Sequence, residues 1–196
     1  MTPVTLFRRL FENEFVTLDG FAISCRAADG MHYIDESVAL ARMLADEDLD
    51  EPFVPSDPTI HAVHRAMYVA WTDVESVVSG WSRHLRALMV EGLALPPPTS
   101  MMRKRGVSDL RDYLVEPSAL VEPQLGETLA TARETATRNG MAHILLVVSS
   151  GMVVAAAPKP EETMAHWHNV EFSARVECIR IEEAAVHTHD GLGEAD

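Results

Sequence analysis

The chain has 196 residues, 47% of them hydrophobic, and a formal net charge of −14. Length and composition exclude a disordered polymer and allow one domain with a sizeable core. The charge disfavours direct contact with nucleic-acid phosphates or anionic lipid and permits a basic protein partner. The acidity is local. Residues 31–57 and 161–196 each carry −7, and the remainder sums to zero.

Thr2-Pro3 and the spacing of Leu6, Phe7, Leu10 and Phe11 predict a short helix over 3–12. The same N-terminus lacks the apolar centre of a signal peptide, which places the expected location in the cytoplasm. Asp19-Gly20 predicts a hairpin between 15–17 and 21–26, and Met31–Ile34 a further strand. Asp35-Glu36-Ser37 opens a helix through Leu44. Residues 46–58 read as an acidic, proline-bearing linker.

The segment 57–92 carries the clearest pattern. Ile60, Met67, Val74, Trp81 and Leu88 recur every seven residues, and Arg65, Thr72, Ser79 and Arg86 form a polar ridge opposite. This predicts one long amphipathic helix, with Gly80 a point where it could split. Such a helix can outrun the core of a small domain. Its stripe, centred on Met67, Trp71, Val74, Trp81, Leu85 and Leu88, is therefore the expected interface for a protein partner or a second copy.

Residues 93–106, with Pro96-Pro97-Pro98 and the basic Arg103-Lys104-Arg105, form a second linker. A helix is predicted over 118–139, ending at Asn139-Gly140. Residues 141–157 are uncharged but broken by Ser149-Ser150-Gly151, which reads as a β-hairpin and not a membrane span. A short helix over 161–168 and a strand within 172–187 complete the order. The expected fold is α+β, a small antiparallel sheet from N- and C-terminal hairpins packed on the long helix and shorter helices. Residues 1–188 would form one domain and 189–196 a flexible acidic tail.

No nucleophile elbow, Gly-rich phosphate loop or cysteine metal motif is present. Cys25 and Cys178 read as reduced structural thiols. The leading expectation is thus a non-catalytic interaction or assembly subunit with no cofactor. The alternative is a metal-dependent enzyme. His61 and His64 share a helix face, Glu162 and His166 are four apart on another, and His168 adds an H-x-H pair. Imidazole with carboxylate would suit zinc or iron. A weaker alternative is an acidic inhibitor that mimics nucleic acid through the carboxylates of 35–51 and 161–183.

Overall fold

The computed structural model describes residues 20–28, 30–35 and 55–190. The expected helices over 3–12 and after Asp35, the strand at 15–17, most of the 46–58 linker and residues 191–196 lie outside them.

Strands β1 (Ala22–Ala27) and β2 (Gly30–Asp35) form a hairpin. Helix α1 (Pro58–Ala70) follows, capped by Asp57, whose carboxylate accepts from the Thr59 and Ile60 amides, with Pro58 in the first turn. Then come β3 (Ser76–Trp81), α2 (Arg83–Val90) and the short α3 (Ser100–Lys104), which lies inside the expected second linker. After β4 (Leu114–Val115), α4 (Gln124–Arg138) leads to the hairpin of β5 (Ile144–Val148) and β6 (Met152–Ala157). Helix α5 (Pro160–Asp190) is last.

Among the described residues six strands form one sheet in the order β2-β1-β3-β6-β5-β4. All neighbours are antiparallel except β4 and β5. The faces can be read from β3. Ser79 Oγ meets His64 of α1 at 2.8 Å, whereas Ser76 Oγ meets Thr163 of α5 at 2.6 Å. Side chains three apart on a strand point to opposite faces, so α1 covers one face and α5 the other. Helix α4 packs with α1 and β5, and α2 with α5.

This corrects the expected fold. The sheet is mixed and six-stranded, an α/β arrangement rather than a small antiparallel sheet on a long helix. The two hairpins do join, but through a strand taken from inside the supposed long helix. Helix α1 stops at Trp71, which adopts an extended conformation, and Ser76–Trp81 then pairs with β1 on one side and β6 on the other. A central strand is covered on both faces, so its side chains are buried without alternation and fit any apolar period. Ser79, assigned to the polar ridge, is fully buried. The strand expected within 172–187 is also corrected. It belongs to α5, where Trp167, Val170 and Ala174 turn inward at helical spacing.

The interface stripe is corrected for the same reason. Met67, Trp71, Val74, Leu85 and Leu88 are all 3% exposed or less, and Trp81 packs against the same core. Apolar area already removed from water within one chain cannot drive association with a second.

The α1–β3 turn is held by Arg26. Its Nε donates to Val74 O at 2.9 Å, and its Nη2 donates to Tyr68 O and Trp71 O at 3.0 and 2.9 Å. The bonds to Tyr68 and Trp71 satisfy carbonyls left over at the helix C-terminus, and the bond to Val74 holds the loop that follows. The guanidinium also lies 5.0 Å over the Tyr68 ring. Arg26→Met keeps the aliphatic stem and removes every donor. Urea unfolding should show a loss of about 2–4 kcal/mol; a change under about 0.5 kcal/mol would mean that the turn holds itself.

Candidate functional site

Beyond Trp81 the chain turns into α2, and polar groups from three elements meet there. Ser82 N–H donates to Gly151 O in the β5–β6 turn at 3.0 Å. Ser82 Oγ caps α2 by accepting from the Leu85 amide at 3.0 Å. The same hydroxyl donates to Glu171 Oε2 on α5. The other oxygen, Oε1, lies 2.5 Å from His84 Nδ1. A carboxylate oxygen accepts here, so Nδ1 is the donor and Nε2 is the nitrogen left to meet a solute. The side chains of His84 and Glu171 are 32% and 18% exposed, so the imidazole can meet a solute.

This is a carboxylate–imidazole pair with a tautomer fixed by its partner, the arrangement a general acid–base group needs. Ser82 is not a nucleophile here, because its proton goes to the carboxylate and it is fully buried. The sequence reading missed all three residues. While 57–92 read as one helix, the Ser82 cap was hidden, and His84 and Glu171 lie 87 residues apart.

The histidines chosen by spacing go elsewhere. His64 is fully buried, with Nδ1 2.8 Å from Ser24 Oγ and Nε2 2.8 Å from Ser79 Oγ. Ser24 Oγ also lies 3.0 Å from Tyr68 OH. Burial, and then the charge of His61, push the His64 pKa down to about 3, so the ring is neutral. One nitrogen donates and the other accepts, which ties β1, α1 and β3 together. His61 and His64 each make a T-shaped contact with the Tyr33 ring.

His166 stacks on His143 with ring centroids 3.3 Å apart, and Arg105 Nη1 lies 3.4 Å from His166 Nε2. Burial, then the Arg105 charge, push His143 down to about 4. Burial, His143 and Arg105 push His166 down to about 3. Glu162 pairs with Lys159 at 3.8 Å, and His168 lies beside Phe172. The structure thus brings His61 to His64, but gives His166 a different imidazole, His143. Among the described residues no group of three or more His, Cys, Asp or Glu side chains is placed to hold a metal. Asp35, counted among the carboxylates of the nucleic-acid mimic, is buried and accepts from Ser56 N–H and Oγ–H at 2.8 and 2.7 Å.

No family model matches the chain, and no curated protein is similar to it in sequence. Solved structures are similar in fold. An L-fuculose 1-phosphate aldolase has a TM-score of 0.58 at 12% identity, covering 92% of this chain and 84% of its own. The L-fuculose-1-phosphate aldolase from Thermus thermophilus has a TM-score of 0.57 at 17% identity, covering 99% and 96%. An aldolase II superfamily protein from Pseudomonas syringae has a TM-score of 0.55 at 12% identity, covering 92% and 74%. The architecture is therefore one that enzymes use. This corrects the leading expectation of a non-catalytic assembly subunit, together with the long helix that motivated it. Among the described residues no helix is long and apolar enough to cross a membrane.

Proposed function

We propose that the chain is an enzyme of the aldolase-like fold, with His84 as a general acid–base group oriented by Glu171. One observation carries the reading. A partly exposed imidazole is hydrogen-bonded through Nδ1 to a carboxylate at the exit of the central strand β3. The matched structures named as aldolases support the reaction class, proton transfer at a hydroxy-carbonyl compound. In aldol cleavage a base takes the proton of the hydroxyl on the carbon that will become the aldehyde. The carbon–carbon bond breaks, its electron pair becomes an enolate, and the enolate carbon takes a proton. His84 Nε2 can accept the first proton and, once charged, return it. Glu171 stabilises the charged ring and fixes the tautomer.

The test is proton exchange followed by NMR in deuterated water, with free and phosphorylated ketoses. The parent protein is expected to exchange protons next to the carbonyl or to release aldehyde. His84→Gln should lower the rate about 100-fold or more, and Glu171→Gln by a smaller factor, with circular dichroism unchanged. An unaltered rate in His84→Gln would sink the assignment.

Self-association, if it accompanies this activity, needs a surface other than the buried 57–92 stripe. The exposed Phe172, Val176 and Ile179, on one side of α5, offer one apolar face for it among the described residues.

A further inference from the structure

A second site lies at the far edge of the sheet. Strand β4 has two residues and pairs only with Val147 and Val148, although β5 begins at Ile144. Where β4 stops short, a cleft of about 330 Å³ opens between β5, the chain entering β4, and α4. That volume is at the lower end of the range for small-molecule sites. Its floor is apolar, formed by Leu145, Leu146, Ala132 and the Tyr113 ring, all buried.

The charged groups around it have one sign, beside the neutral Gln124, Thr128, Thr131 and Thr135. Asp112 and Glu127 line the cleft, and no lysine or arginine does. Both carboxylates are on exposed residues, and neither is in an ion pair among the described residues; the nearby Arg111 is taken by Asp109. The Tyr113 hydroxyl proton goes to Met141 Sδ at 3.0 Å and the Thr128 proton to Ala119 O at 2.9 Å, so neither donor is left for an anion. An apolar floor with two unpaired carboxylates repels acids and rewards a cation on an apolar body.

We infer that this cleft binds a small organic ammonium compound with an apolar or aromatic body. The site is separate from His84 and does not rest on the proposed reaction. The probe is phenethylamine, titrated into the full chain at low salt by calorimetry and followed by amide NMR shifts. Its comparators are phenethyl alcohol and 3-phenylpropanoate, of similar size and neutral or negative. The amine should bind about fivefold to tenfold more tightly than the alcohol, the scale of two exposed carboxylates, and the acid should not bind detectably. The double variant Asp112→Asn/Glu127→Gln should bring amine and alcohol to equal affinity. Thr131→Trp, an exposed cleft residue on α4, should abolish binding of both while the protein stays folded. No saturable binding of the amine, equal binding of amine and alcohol to the parent, or binding indifferent to Thr131→Trp would each overturn the inference.

Discussion

The protein should lose stability steeply between pH 6.5 and 4, before most carboxylates titrate. His64, His143 and His166 are buried and neutral, with pKa values pushed down from 6.5 to about 3, 4 and 3. Unfolding returns each to its ordinary value. In that window the unfolded chain therefore binds more protons than the folded one, and protonation pulls the equilibrium towards it. The contribution is fully present above 6.5 and disappears as pH falls towards the folded values. One proton of difference is worth about 1.4 kcal/mol per pH unit, so three give about 4 kcal/mol per unit at the steepest point. For a chain of this size that is a fall in Tm of roughly 10 °C per pH unit. His143→Gln removes one titrating group and half of a stack that cannot carry two charges, and should reduce the slope by about one third. A Tm that stays level from pH 7 to 5 would contradict neutral burial of these rings.

Gly151→Ala is expected to be among the most damaging single methyl groups. Gly151 has φ of +94°, a backbone region costly for other residues. A Cβ built there would lie 2.5 Å from Arg86 Cα and 2.7 Å from Arg86 Cβ. Backbone cannot rotate away as the end of a side chain can, so the β5–β6 turn and α2 must separate. Together the two costs come to roughly 2–5 kcal/mol in urea unfolding. Gly92→Ala supplies the control, because φ is +65° but nothing lies within 4 Å of its added Cβ. It should cost only the conformational part, about 1–2 kcal/mol. Gly151 O also accepts from Ser82 N–H, so the substitution should displace His84 and lower the proposed proton-exchange activity beyond the loss of folded protein. Equal losses at the two glycines would remove the clash from the account.

What the sequence made legible was local. The Asp57-Pro58 start of α1 and the Val-rich hairpin around Ser149-Ser150-Gly151 follow from capping and turn chemistry within a few residues. The conversion of 76–81 into the central strand does not, because its pairing partners at 22–25 and 152–157 are distant. Nothing local distinguishes a strand buried on both faces from a stretch of buried helix. The same limit applied to the site. Spacing can put His61 and His64 on one helix, and it did, but it cannot say that His84 would find a carboxylate on α5 or that His166 would find His143. Side chains three or four apart identify a shared face; what faces them is decided by sheet order.

That order has a consequence for how the polypeptide emerges during synthesis. Strands β1, β2 and β3 are complete by residue 81, yet β3 closes only against β6, whose last residue is Ala157. More than seventy further residues must leave the ribosome first, during which Val77 and Val78 sit on an open, adhesive edge. Helix α5, which supplies Glu171 and buries Trp167 and Val170, comes later still. Any part of the sheet that forms before then has β3 as an open edge, which is what a chaperone would have most to shield and where truncated products would aggregate.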